Sequence, residues 1–243
     1  MRLHRFYINI PIEHERSTIK DERLIHQWRN VFRYNVGSEV ILFDGSGMEF
    51  DVVIEKLSNR EAAIRLVSER KGIVPKSPST GSGRDITLYI SLIKKDKLEW
   101  VVEKATELGV SKIVPIISER SEKKGFNLER ARKIAIEASE QCGRADVPEI
   151  GEVVSLDETL EKAENVVVFD SSGTPPASQS LGTLPLIKVR EDGNPTSIFI
   201  GPEGGWSEKE MERFKDSNME ILSLGKLTLR AETAAVVALA KLQ

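Results

Sequence analysis

Ile200-Gly201-Pro202-Glu203-Gly204-Gly205-Trp206-Ser207 is the stretch on which the fold turns. Ser197-Ile198-Phe199-Ile200 leads into it as a short, unbroken apolar run, the pattern of a strand buried on both faces. Ser207 and Glu210 have capping-box spacing and mark the start of a helix. A buried strand passing through a glycine turn into a helix is the repeating step of a parallel α/β sheet. Ligands of such sheets bind outside the carboxyl ends of the strands. Three glycines and a proline within five residues let the main chain approach a ligand closely. On spacing alone, an ordinary tight strand–helix turn fits equally well.

Downstream, Ile221-Leu222-Ser223-Leu224 reads as another strand, followed by Gly225-Lys226-Leu227-Thr228-Leu229-Arg230. The final stretch from Ala231 to Leu242 is apolar nearly all round, which predicts a buried helix. Arg230 and Glu232 stand at its mouth, where an unpaired charge is costly. They either pair with each other or Arg230 faces a ligand or a developing anion.

Upstream the alternation repeats. Ile86 to Ile93 and Lys112 to Ile117 are strand-like, as is Val166-Val167-Val168-Phe169. Leu98, Val101, Val102, Ala105 and Leu108 form one helical stripe, with Asp96 and Glu99 spaced as a capping box and Gly109 as the stop. A second helix is expected over Leu128–Cys142, capped by Asn127 and ended by Gly143. Residues 171–195 are rich in Pro, Gly and Ser and read as a long loop. No phosphate loop or dinucleotide fingerprint occurs, and Gly81-Ser82-Gly83 precedes its strand, so it reads as spacer.

Two prolines, two glycines and three serines in Val74 to Gly83 mark a linker, taken as residues 74–84. It separates a first unit, 1–73, from a second, 85–243. The first is mainly β: Leu3 to Ile10, Glu39 to Phe43, Glu49 to Ile54 after the Asp44-Gly45-Ser46-Gly47 turn, and Ala62 to Val67. A helix is expected over residues 18–33, with Ile19, Leu24, Trp28 and Phe32 on one face. Short strands with one helix suggest a small barrel that binds rather than catalyses. Trp28 and Trp100 fall on apolar helix faces and are expected in cores, whereas Trp206 lies in the glycine loop.

Composition narrows the chemistry. The chain has 243 residues and a net charge of −3, yet residues 1–150 hold 26 Lys/Arg against 23 Asp/Glu (+3), and residues 151–243 hold 9 against 15 (−6). The larger part of the chain therefore admits a basic, nucleic-acid-binding face. All three histidines, His4, His14 and His26, lie in the first unit, so chemistry in the second must proceed without imidazole. The single Cys142 excludes an internal disulfide and a cysteine-rich zinc site, and reads as a structural helix residue. No apolar run spans a bilayer and no signal segment opens the chain, so a cytoplasmic, non-membrane setting is expected.

The paired C-terminal segments, Ile200-Gly-Pro-Glu-Gly-Gly-Trp-Ser and Leu224-Gly-Lys-Leu-Thr-Leu-Arg-Ala-Glu-Thr-Ala, resemble the signature of the bacterial 16S ribosomal RNA uridine-N3 methyltransferases, the RsmE family. Leu98-Glu-Trp-Val-Val-Glu-Lys-Ala-Thr-Glu-Leu-Gly-Val, Ile134-Ala-Ile-Glu-Ala-Ser-Glu-Gln-Cys-Gly-Arg, Arg5-Phe6-Tyr7 and Asp44-Gly45 are similar too. Trp206 stands where that family more usually has phenylalanine, and Ala231 where it has threonine or serine. The resemblance implies a SPOUT-type α/β domain with a C-terminal trefoil knot, a PUA-like N-terminal RNA-binding barrel, and a homodimer. It implies S-adenosyl-L-methionine as cofactor, held by Ile200, Gly201, Pro202, Glu203, Gly204, Gly205, Leu224, Gly225, Leu227, Leu229 and Arg230.

Within that frame Arg230 is expected to stabilise a uracil anion, and Glu232 or Glu203 to accept the N3 proton. Arg144, Arg120, Lys94, Lys95 and Arg5 are the expected contacts to 16S rRNA of the small ribosomal subunit. Two other readings share the fold: a related enzyme acting on a different base or a ribose 2′-hydroxyl, and a non-catalytic ribosome-assembly factor.

Overall fold

The computed structural model describes residues 3–12, 14–75, 85–122, 125–174 and 196–242. Most of the linker stretch and residues 175–195 of the expected loop lie outside them. Contacts divide the chain into two units. Met1–Val74 with Ser139–Val147 form one, and Pro75–Ala138 with Pro148–Gln243 the other.

The first unit carries a five-stranded sheet in the order β1-β3-β4-β5-β2. Its strands are β1 (Arg5–Tyr7), β2 (Arg16–Ile19), β3 (Glu39–Phe43), β4 (Met48–Leu57) and β5 (Ala62–Lys71). β1 runs parallel to β3, and the other pairings are antiparallel. The β3–β4 turn needs its glycines: Gly45 and Gly47 have φ of 88° and 87°, a region side chains disfavour. Alternate residues such as Val40, Leu42, Val52, Ile54, Ala62 and Ile64 face a core shared with Phe6, Leu24 and Trp28.

The helix expected over 18–33 is shorter. Arg16–Ile19 instead pairs antiparallel with β5, placing Thr18 opposite Ala63. The β-branched Thr18 and Ile19 suit a strand, and Asp21 ends it by capping α1 (Glu22–His26), its side chain accepting from Leu24 N–H at 3.0 Å. A π-helical turn, Gln27–Val31, follows and buries Trp28 completely.

An ionic cluster sits inside this unit and takes in two of the residues expected to contact RNA, Arg5 and Arg144. Arg5 pairs with Glu49, which also receives Arg70 at 2.8 Å. A second Arg5 nitrogen donates to the Arg144 carbonyl at 3.0 Å. Arg144 is only 2% exposed and grips Asp146 through two bonds of 2.9 and 2.7 Å. A buried guanidinium demands such partners, so Arg5 and Arg144 are internal struts.

The second unit is built on a parallel sheet in the order β12-β10-β11-β6-β7-β8, with β9 also pairing β7. Its strands are β6 (Ile86–Ser91), β7 (Lys112–Ile117), β8 (Glu149–Ile150), β9 (Val154–Ser155), β10 (Val166–Thr174), β11 (Thr196–Ile200) and β12 (Glu220–Leu222). Its helices are α2 (Lys95–Glu107), α4 (Leu156–Leu160), α5 (Glu208–Asp216) and α6 (Ala231–Ala240), together with most of α3 (Leu128–Cys142), whose last residues belong to the first unit.

Several helix ends match their expected caps. Asn127 accepts from Arg130 N–H at 2.9 Å, Gly109 and Gly143 have φ of 76° and 93°, and Ser207 and Glu210 close a complete capping box. The start of α2 differs. Lys94 precedes the helix with no side-chain cap, and Asp96 lies in the first turn, where its charge meets the positive end of the helix dipole. Trp100 on α2 is 40% exposed rather than buried. α6 buries one side, Ala231, Ala235, Ala238 and Leu239, while Thr233 and Ala240 are exposed.

Candidate functional site

β12, β10 and β11 are adjacent and parallel, so their carboxyl ends open on one edge. Gly201 to Ser207 follows Ile200 and Ser223 to Arg230 follows Leu222 as irregular segments, while β10 continues through Asp170 and Ser171 with its register against β12 shifting after Phe169. Together these segments wall a cleft of about 1160 Å³ including its open mouth. The cleft brings together the run Ile200 to Gly205 with Leu224, Leu227, Leu229 and Arg230. Gly225, also expected there, is exposed at φ 150° and does not line it.

Trp206 holds this end of the sheet in shape. Its indole is 5% exposed, and its Nε1 donates to the Phe169 carbonyl at 3.1 Å, tying the end of β10 to the loop after β11. A Cβ on Gly201 would stand 3.0–3.2 Å from the same ring, so glycine is what lets chain and indole close together. Gly205, with φ of 67°, closes a turn by donating to the Pro202 carbonyl at 2.9 Å. The second turn is held by the Ser223 hydroxyl, which donates to the Gly225 carbonyl at 2.9 Å, and by Lys241, whose Nζ donates to the Leu224 carbonyl at 3.3 Å.

The segment after β7 braces the glycine loop. Arg120 Nη1 donates to the carbonyls of Gly204 and Trp206 at 2.9 and 3.3 Å. The buried Glu210 accepts from Glu119 N–H through one oxygen and from Ser207 N–H through the other, both at 2.8 Å. These are charge-assisted bonds, the stronger class.

The charged residues separate. Arg230 precedes α6, is exposed, and has no ion-pair partner among the described residues. Glu203 is exposed on the rim, facing both the cleft and an adjoining groove lined by Lys94 and Arg120. Glu232 does not reach the cleft. It is 8% exposed and pairs with Lys97 at 3.6 Å, not with Arg230. Lys95 is exposed and pairs with Glu99 at 3.8 Å.

Asp170 lines the cleft and went unnoticed in the sequence, although a carboxylate directly after a buried parallel strand is the available signal. It accepts from both the N–H and the hydroxyl of Ser172, at 2.8 and 2.6 Å. Exposed Cys142 lies elsewhere, its Sγ 3.9 Å from the Ser139 carbonyl. Among the described residues no cluster of His, Cys, Asp and Glu could hold a metal ion.

The cleft thus offers apolar walls for a ring system, main-chain groups for hydrogen bonds, two carboxylates toward a positive charge and one guanidinium toward a negative one. A mostly apolar, strand-end site with a few polar groups suits an organic cofactor.

Residues 81–243 match the RNA methyltransferase domain family. A ribosomal RNA small subunit methyltransferase E of Rickettsia conorii is 31% identical over 245 residues, spanning all of this chain and 96% of the relative. Its namesake from Bacillus subtilis is 30% identical over 88% of this chain and 85% of its own. The crystal structure of a ribosomal RNA small subunit methyltransferase E from Neisseria gonorrhoeae, bound to S-adenosyl methionine, superposes with a TM-score of 0.81 at 26% identity. It spans 98% of this chain and 96% of that one.

Proposed function

Because the chain belongs to the RNA methyltransferase family, with ribosomal RNA small subunit methyltransferases E among its relatives, we propose that it methylates N3 of a uridine in 16S ribosomal RNA, using S-adenosylmethionine. One observation carries the reading: three adjacent parallel strands end on a single cleft whose walls are the two glycine-containing turns.

The cleft residues fit the cofactor. Phe169, Ile200, Leu224, Leu227 and Leu229 supply apolar surface for the adenine and ribose carbons, and the main chain of Gly201 to Gly205 supplies polar contacts. Asp170 and Glu203 place negative charge near a cationic sulfur. When bound, the cofactor supplies an electrophilic methyl group.

The remaining task belongs to the protein. Uracil N3 carries a proton at neutral pH and becomes nucleophilic only when that proton leaves. Arg230, at the cleft wall and without an ion-pair partner among the described residues, offsets the charge that develops on the ring. Glu203 is the better placed proton acceptor, since Glu232 is committed to Lys97 outside the cleft. Orientation of the two substrates contributes much of the acceleration.

The proposed assembly follows the same family. The first unit acts as a PUA-like RNA-binding barrel (1–73), joined by a linker (74–84) to a SPOUT domain (85–243) with a C-terminal trefoil knot. A homodimer is supported by apolar side chains left exposed on the second unit outside the cleft, Trp100 and Ile117 at 40% and 53%. Light scattering tests that point. The cytoplasm is the proposed setting, and no described helix is long and apolar enough to cross a membrane.

The decisive experiment incubates small ribosomal subunits from a strain lacking the gene with the enzyme and cofactor, then analyses the nucleosides by mass spectrometry. N3-methyluridine is expected. A 2′-O-methylated product or none would overturn the proposal. In Arg230→Ala, transfer should fall about 100-fold or more while calorimetry shows cofactor binding retained. Transfer at the wild-type rate would refute the role given to Arg230.

A further inference from the structure

The first unit carries a group of rings that its core does not require to be polar or exposed. Phe32 and Tyr34 stack with centroids 5.5 Å apart and planes 12° from parallel. Both are half-buried, resting on the core ring of Phe6, which meets each of them edge-on. His4 is exposed. Its ring lies 4.5 Å from that of Phe32, and its Nδ1 is 2.6 Å from the Tyr34 hydroxyl. The three side chains therefore form one packed group of rings at the surface, with the exposed imidazole of His4 beside the Tyr34 hydroxyl.

Arg33 lies between the two stacked rings in sequence and has an unusual backbone. Its φ is 54°, in the left-handed region, at the position that ends the π-helical turn, where Tyr34 N–H donates back to the Trp28 carbonyl at 2.8 Å. Glycine fills such a position without steric cost. Arginine there is exposed, and among the described residues its guanidinium has no ion-pair or hydrogen-bond partner. A long cation at a site that favours glycine, beside two half-buried rings and the exposed His4, is a reason to seek a ligand.

We propose that His4, Phe32, Tyr34 and Arg33 form an RNA-contact subsite separate from the methyl-transfer cleft. An unpaired base stacks on the ring surface, and Arg33 meets the adjoining phosphate. Stacking on aromatic side chains together with a basic group is the general chemistry of single-stranded nucleic-acid binding. A duplex, its bases paired, offers no ring face to the platform. The proposal rests on the RNA-methyltransferase reading for the identity of its ligand.

The test uses the full chain, a fluorescein-labelled 12-nucleotide oligouridylate and a duplex of equal length, with binding read by anisotropy across a salt series. Arg33→Gly should weaken oligouridylate binding about fivefold or more and lower the salt slope by about one. Its thermal midpoint should be unchanged or raised, which a merely structural arginine would not give. His4→Ala should weaken the single strand more than the duplex. Wild-type affinity and slope in Arg33→Gly, or equal losses on both RNAs in His4→Ala, would overturn the subsite. Calorimetry with S-adenosylmethionine separates the two readings. Wild-type protein that fails to bind it refutes the methyltransferase reading, whereas the Arg33→Gly comparison is decided by RNA alone.

Discussion

At the scale of single residues, the cleft depends on a few contacts between segments far apart in sequence. The bond from Trp206 to Phe169 spans 37 residues, and no local pattern announces it. Trp206→Phe keeps the ring against Gly201 but leaves the Phe169 carbonyl without its indole donor. A loss of about 1–2 kcal/mol in urea unfolding is expected, with weaker cofactor binding by calorimetry. Unchanged stability and affinity would show that the indole merely fills space. The two glutamates separate just as sharply. Glu203→Gln removes the proposed proton acceptor on the cleft and should slow transfer about 100-fold or more. Glu232→Gln weakens a pairing with Lys97 outside the cleft and should leave the rate near wild type. Equal rate losses in single-turnover assays would reverse the assignment. The glycine run was legible because backbone freedom is a local property, whereas the sequence left open whether Arg230 pairs with Glu232. The separate placements of Glu203 and Glu232 were not legible, because they depend on which helix face meets Lys97.

At the scale of elements, legibility follows length and periodicity. α3 matches its expected limits, Leu128 to Cys142, because its cap and stop agree. The two-residue strands β8 and β9 hold too few positions to show a period. α4 is one turn long, although Ser155 and Glu158 form a full capping box. Caps also carry energy between elements. Glu210 serves both Ser207 at the start of α5 and Glu119 after β7, so Glu210→Ala should cost about 2 kcal/mol, more than an isolated cap. A chemical-denaturation loss well under 1 kcal/mol would show the Glu119 contact to be idle.

The antiparallel pair β4–β5 offers a pH test. Burial of Asp51 works to raise its carboxyl pKa, but hydrogen bonds from Arg70 and Ser68 and the Arg70 charge outweigh it, and the net shift is downward. A carboxyl held below its unfolded value of about 3.9 contributes stability above that pH and loses it as pH falls through the folded value. The gap between wild type and Asp51→Asn should thus be constant near neutrality, no more than about 1 kcal/mol for so exposed a pair, and vanish in acid. A gap that widened on acidification would contradict the sign.

At the scale of the whole molecule, strand order is what the alternation of strands and helices left open. The pattern predicts a parallel sheet but not that β10 lies between β11 and β12, and that arrangement puts three strand ends on one cleft. Phe169, Ile200 and Leu224 reach it from separate parts of the chain, so the cleft exists only when the second unit is folded. A cofactor that binds there has no equivalent site on the unfolded chain, and its binding free energy adds to stability in full. At a hundred times its dissociation constant, S-adenosylmethionine should contribute about 2.7 kcal/mol. For a unit of this size that corresponds to a rise of about 5–10 °C in the thermal midpoint. The rise should persist in Glu203→Gln if that carboxylate acts mainly on the proton, and shrink in Trp206→Phe, whose cleft is less firmly held. A midpoint indifferent to saturating cofactor would mean that the three strand ends do not make its binding site.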